Sequence, residues 1–430
     1  LLVCASVLRT IPVVAQEPER SLRDGDVERL VGGRRVTVGH RVVLPPTFIG
    51  GPRDMRRRYV DAMALVQRFG KPDLFLTMTC NPAWPEIVSE LLPGEEAQNR
   101  PDLVSRVFRG KLEELKEDLF KKHVLGHVAA HVYVVEFQKR GLPHAHFLLI
   151  MKPGHKIKNT EDYDKYVSAE IPGEEFGEHL RESVRRNMMH GPCGLMKPNN
   201  VCMKKTGKCR NQYPKDFCER TTQGLNSYPV YRRRDNGDTL TVRGHNLDNR
   251  WVVPYNPYLL VKFDFHLNVE ICSTIKAVKY LYKYIYKGHD KISFQVNSDN
   301  PNNGLDEVSS YQQGRWVSPP EATWRLYRFA LNETVPAVMA LPLHLPDGQS
   351  VSFRATTDLE DVVADPNSKR TMLTEYFRMN ATDPAARLLY YREFPENYVW
   401  NAPSKIWMTR KRGVSIGRIV TVNPTEGERY

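Results

Sequence analysis

No apolar stretch of this chain approaches the roughly 20 residues that a helix needs to cross a bilayer, so no membrane-spanning helix is expected. The opening Leu1–Leu8 is apolar, but Arg9 interrupts it and no basic leader precedes it, which argues against a signal peptide. Because the chain starts at Leu and its end at Tyr430 is abrupt, it reads as a fragment of something longer. No Gly-x-x-x-x-Gly-Lys-Ser/Thr sequence occurs, which excludes ATP hydrolysis through a P-loop. Internal repeats and long low-complexity tracts are missing too. An acidic excess is also lacking: 62 Lys and Arg face 50 Asp and Glu, a net charge of +12 and a pI near 9.2. That balance favours a polyanionic partner.

Cysteine is sparse, seven in 430 residues, and none forms the close pair of a zinc finger. Four of them nevertheless share one short polar segment: Cys193, Cys202, Cys209 and Cys218, separated by gaps of eight, six and eight residues. That segment is poor in core-forming residues, so a structural Zn2+ would explain how it holds a shape, with His190 able to replace one sulfur. Unpaired reduced thiols are the other reading. Cys4, Cys80 and Cys272 sit in apolar settings and are expected to be buried.

The most informative stretch is Pro143-His144-Ala145-His146, which runs into the apolar Phe147–Met151. Histidines one residue apart on a strand project to the same face, so both imidazoles can grip one ion. In the preceding run Val132, Val134, Glu136 and Gln138 share a face by the same period. A hairpin across Lys139–Pro143 would bring a third ligand, preferably Glu136 and otherwise Gln138. Mg2+ or Mn2+ suits such a mixed oxygen and imidazole shell.

Lys279–Lys287 carries tyrosines at alternate positions, which fits a strand with a tyrosine face. A helix fits better: Ile275, Val278, Leu281, Tyr282, Ile285 and Tyr286 then form one apolar stripe. Tyr280 and Tyr284 stack one turn apart on the other side, with Lys283 and Lys287 beside them. A phenol of pKa about 10 is a poor nucleophile at neutral pH unless a cation stabilises its phenolate or a metal polarises its target.

Basic clusters interleaved with aromatics occur at Arg56–Arg58, Arg232–Arg234 and Arg410–Arg412, a pattern that suits single-stranded DNA. A solvated basic face is the alternative for each. Helices are expected over Asp54–Phe69, Pro101–Leu125, Pro319–Ala330 and Met372–Tyr391, with helix and loop over Lys152–Met189. Strands are expected over Asp73–Thr79, the two runs of the histidine hairpin, Asp238–Arg243 and Leu259–Glu270. These elements imply a sheet with helices on one face. Residues 1–50 read as a lead-in, 51–296 as the main domain with a Cys-rich insertion at 190–220, and 304–430 as a mixed C-terminal extension beyond the polar linker Asn297–Asn303.

Several long motifs occur together in one order: Phe75–Pro82, Glu136–His146, His190–Gly194, Asn268–Cys272, Lys279–Tyr284, Arg392–Trp400 and Ile416–Arg418. In this the chain resembles the replication-initiator (Rep) region of Helitron transposases, the two-tyrosine branch of the HUH endonucleases. The resemblance implies an α+β fold with an antiparallel, RNA-recognition-like central sheet. It also implies rolling-circle nicking of single-stranded DNA at transposon ends: a metal at His144 and His146, attack by Tyr280 or Tyr284, a 5′-phosphotyrosine, and Lys283 as the cation at the phenolate. A C-terminal helicase domain and a nuclear location follow from the same resemblance. Two other classes stay open, a catalytically inactive transposon-derived DNA-binding module and a metal-dependent phosphodiesterase with no covalent intermediate.

Overall fold

Pro52, whose missing N–H costs nothing at a helix start, opens the first long helix in the computed structural model, α1 (Pro52–Phe69), which ends at Gly70 with φ +92°. The structure describes residues 29–31, 34–36, 48, 51–137, 141–203, 207–224, 229–273, 317–344, 360 and 364–420. Ahead of α1 lie two short paired strands, β1 (Arg29–Val31) and β2 (Arg34–Val36). After it come β3 (Leu74–Thr79), α2 (Pro101–Phe120), β4 (Val128–Phe137) and β5 (Pro143–Met151). Helix α2 stops short of the expected Leu125 because the chain turns at His123, where φ is +55°.

The polar region that follows holds α3 (Thr160–Tyr166) and α4 (Glu178–Asn187), and the Cys-rich segment leads into the hairpin β6 (Leu240–Val242) and β7 (His245–Leu247). The expected strand over Leu259–Glu270 is a strand only in its second half, β8 (Leu267–Ile271). Its first half is helix α5 (Pro257–Phe263), capped by the Asn256 side chain accepting from the Leu259 N–H and ended by Asp264 at φ +44°. Proline at the first turn and a preceding asparagine outweigh the alternation of that segment. Then follow α6 (Pro319–Leu326), β9 (Asn332–Val335), β10 (Ala337–Leu341), α7 (Met372–Thr382), β11 (Tyr398–Asn401), β12 (Ile406–Thr409) and β13 (Ser415–Ile419).

The fold is α+β around an antiparallel five-stranded sheet of order β8-β3-β5-β4-β9. Its fifth strand comes from the segment assigned above to the C-terminal extension, so the sheet continues past residue 304. One face is apolar apart from His131 and Glu333: Leu74, Leu76 and Met78, Ala145, Phe147 and Leu149, Tyr133 and Val135, and Leu267 and Val269 pack under Phe108, Leu112, Leu115 and Leu119 of α2 and under α5. Trp324 of α6 joins that core, with its ring 5.9 Å from Phe108.

Helices cover both faces, not one. Phe75, Leu148, Ile150, Ala130 and Val132 make one end of the second face apolar, and α1 covers that end with Ala62, Leu65 and Val66. The rest of the face is polar, and the histidines lie there. Tyr391, Phe394, Tyr398 and Trp407 form a separate core that joins α1 through Arg418–Asp61 at 2.9 Å and Arg68–Glu396 at 2.9 Å.

Candidate functional site

Register places the site. His144 pairs with Thr79 on one side and Glu136 on the other, while His146 pairs with Thr77 and Val134. The threonine hydroxyls reach the inner ring nitrogens: Thr79 Oγ1 lies 2.9 Å from His144 Nδ1 and Thr77 Oγ1 3.1 Å from His146 Nδ1. With Nδ1 engaged, Nε2 of each ring is directed to other partners, the arrangement seen where an outer hydrogen bond fixes the tautomer of a metal-binding imidazole. His146 Nε2 sits 3.2 Å from Glu136 Oε2. His144 Nε2 is buried and has no hydrogen-bond partner. Burial first, and the neighbouring His146 second, push His144 down to about 4, so its imidazole is neutral near pH 7 and keeps a lone pair to offer.

This donor set fits a cation: two imidazole nitrogens, one of them orphaned, beside a carboxylate. Three donors are fewer than the four of a closed structural cage. The polar row continues onto β8, where Asn268 pairs with Thr77 and Glu270 is pushed up to about 7 by burial while accepting from the Tyr231 hydroxyl at 3.1 Å. Thr77 and Thr79 escaped the reading of the sequence. Their signal was there, because Thr-x-Thr on a strand has the same period as His-x-His. Gln138, Tyr280, Lys283 and Tyr284 lie outside the described residues.

A second centre forms in the Cys-rich segment. Among the described residues, His190, Cys193, Cys202 and Cys209 are the one group whose ligand atoms all lie within 4.8 Å of one another. His190 Nε2 is 3.7 Å from Cys193 Sγ and 3.5 Å from Cys209 Sγ. Four tetrahedral bonds of zinc length would set nitrogen and sulfur about 3.6 Å apart, so the spacing suits such an ion. His190 is stacked on Tyr213 at 4.2 Å, and burial lowers its pKa. Burial pushes the Cys193 thiol up to about 12. Burial acts upward on Cys209 as well, yet the N–H groups of Tyr213 and Asn211 bring that thiol below its ordinary value.

Cys218 is not in the group. Its backbone pairs with Arg233 and its thiol donates to the Arg220 carbonyl at 2.8 Å, so the fourth donor is the histidine. Cys80 and Cys272 are buried, as their settings imply; Cys4 lies outside the described residues.

Two basic clusters are partly engaged within the fold, although Arg56, Arg57 and Arg234 stay exposed. Arg57 and Arg58 pair with the buried Asp54 at 2.6 and 2.7 Å. Arg232 and Arg234 hold Glu170, and Arg233 is buried, donating to the carbonyls of Ala169, Asn249 and Val252. Arg233 therefore ties loops together, and neither a DNA face nor a solvated face describes it. In the third cluster Arg410 donates to the Pro395 carbonyl at 2.8 Å while Lys411 and Arg412 are exposed.

Residues 20–149 match the family model described as the Helitron helicase-like domain at the N-terminus. The matched segment runs from ahead of β1 into β5 and contains Thr77, Thr79, Glu136, His144 and His146. The match supports a Helitron-related protein with a transposase-related function. No curated protein matches the chain. Among the described residues no helix is long and apolar enough to cross a membrane.

Proposed function

We propose that the chain is the nuclease part of a Helitron-type transposase, an HUH endonuclease that nicks single-stranded DNA at transposon ends and keeps one product bound to a tyrosine. The observation that carries this reading is the polar end of the second sheet face, where Thr77 and Thr79 orient His146 and His144 beside Glu136. His144, His146 and Glu136, with Gln138 as the alternative third ligand, would hold Mg2+ or Mn2+, which when bound polarises a scissile phosphate. The threonines keep both imidazoles turned to the site, and burial keeps His144 unprotonated.

Tyr280 or Tyr284 supplies the nucleophile. Its phenolate oxygen bonds to phosphorus as the bond to the 3′ oxygen breaks, giving a 5′-phosphotyrosine and a free 3′-OH. Lys283 stabilises the phenolate. Because the phosphoester is conserved, the 3′-OH of another strand can displace the tyrosine and rejoin the chain, while the second tyrosine cuts or accepts a strand. A structural Zn2+ belongs to His190, Cys193, Cys202 and Cys209. A helicase domain as partner and action in the nucleus complete the reading.

A denaturing gel tests it. With labelled single-stranded DNA and Mn2+, the wild-type chain is expected to give a protein-linked oligonucleotide. His144→Ala/His146→Ala and Tyr280→Phe/Tyr284→Phe are each expected to lose the adduct and keep DNA binding, since phosphate contacts elsewhere supply affinity. Cleavage without an adduct would assign a water-using phosphodiesterase instead. Binding without cleavage would assign an inactive DNA-binding module.

A further inference from the structure

The Cys-rich segment also projects an apolar tip. Just after Gly194, where φ is +68°, the side chains of Leu195, Met196 and Val201 are 102%, 43% and 80% exposed. Scattered exposed aliphatic residues are ordinary. These three share one short loop, and that loop is braced. Asn200 Nδ2 donates to the Pro192 carbonyl at 2.7 Å, the Met203 N–H to the Asn200 carbonyl at 2.8 Å, and the Arg210 N–H to the Cys202 carbonyl at 2.7 Å. The apolar side chains are thus held outward by a fixed loop.

The charge around the tip has one sign. Residues 190–215 contain Lys197, Lys204, Lys205, Lys208, Arg210 and Lys215 and neither Asp nor Glu. Lys197, Lys208 and Arg210 are exposed, and among the described residues none of the three pairs with a carboxylate. A surface of this kind complements a phosphate backbone.

The composition of the tip also distinguishes the strand state. Platforms for single strands stack bases on aromatic rings, and no Phe, Tyr or Trp occurs from 190 to 212. Aliphatic side chains serve the other mode, as wedges driven between the base pairs of a duplex.

We propose that the Leu195–Val201 tip is a wedge that enters a base step of duplex DNA, with Lys197, Lys208 and Arg210 holding the flanking phosphates. The insertion requires duplex DNA but neither the tyrosines nor the His144 site, so it stands or falls apart from the nicking reaction.

The test uses the full chain, a short duplex with 2-aminopurine at successive positions, and the matching single strand. Wild-type protein is expected to raise the fluorescence of the duplex as the probe unstacks. Leu195→Ala/Val201→Ala should weaken duplex binding on the order of tenfold, as loss of buried aliphatic surface predicts, and abolish the rise. Its single-strand affinity and its metal content should stay at the wild-type level. Leu195→Met should keep the rise. Lys197→Ala/Arg210→Ala should lower the slope of log affinity against log salt by about two while leaving the rise intact at saturation. Unchanged duplex affinity and fluorescence in the double alanine variant would overturn the proposal, as would an equal loss on single strands. Loss of self-association in sedimentation with the DNA response intact would assign the tip to a second copy of the chain and equally end it.

Discussion

Glu136 faces His144 across the β4–β5 ladder, yet its carboxylate meets the other histidine, with Oε2 3.2 Å from His146 Nε2. The diagonal contact gathers both rings and the carboxylate at one end of the hairpin. Replacing Glu136 by Ala should therefore weaken Mn2+ binding by at least about tenfold, as loss of a ligand or its hydrogen-bonded support does. Calorimetric titration with Mn2+ reads this, and unchanged affinity would move the third ligand to Gln138.

Thr77 and Thr79 hold the rings they touch through a hydroxyl at each Nδ1. Thr77→Val/Thr79→Val keeps the size and β-branching of the strand but removes both hydroxyls. The expected result is a loss of roughly 10- to 100-fold in metal affinity, with far-UV circular dichroism unchanged. Wild-type affinity in this variant would show that the hydroxyls do not orient the rings.

Metal analysis separates the cysteines. The isolated protein should carry one Zn2+, Cys193→Ser and Cys209→Ser should lose it, and Cys218→Ser should retain it. Because burial pushes the Cys193 thiol up to about 12 without metal, zinc uptake near neutral pH must release protons, and affinity should fall as pH falls. Retention of zinc by His190→Ala together with its loss in Cys218→Ser would assign the fourth position to Cys218.

His131 is buried, stacks on Phe120 at 3.8 Å, and leaves Nε2 without a hydrogen bond. Burial holds its pKa down to about 4, against about 6.5 in the unfolded chain. A folded value below the unfolded one means that the unfolded chain binds the extra proton. The stabilisation is therefore complete above about pH 6.5 and is lost as pH falls towards 4, by roughly 3 kcal/mol. His131→Phe should remove one proton's worth of that slope in urea titrations between pH 4 and 7. An unaltered slope would refute the assignment.

Gly417 in β13 approaches another segment closely. A Cβ there would collide with the Arg392 carbonyl oxygen and come within 2.6 Å of Leu341 Cδ1. Backbone cannot swing aside as a side-chain end can, so Gly417→Ala should cost about 1–3 kcal/mol in urea unfolding. Wild-type stability would show that the two segments part easily. The contact also gives a physical reason for the motifs around Arg392 and Ile416–Arg418 to occur together: each shapes the other's packing.

Local periodicity made much of this legible. Alternation set His144 and His146 on one face and aligned Glu136 beside them, and helical spacing located α1 and α2 to within a few residues at most ends. A strand beginning at Leu259 overlooks Asn256 and Pro257, which are visible helix-start signals. What no local pattern could supply was contact between distant segments. The pairing of Thr79 with His144 and the entry of β9 into the sheet join residues far apart in the chain, and the choice of His190 over Cys218 depends on where Arg233 holds the Cys218 backbone. Side-chain period follows from the backbone of a single strand, whereas register and neighbour follow from which apolar faces the whole chain must bury, and only the tertiary structure decides those.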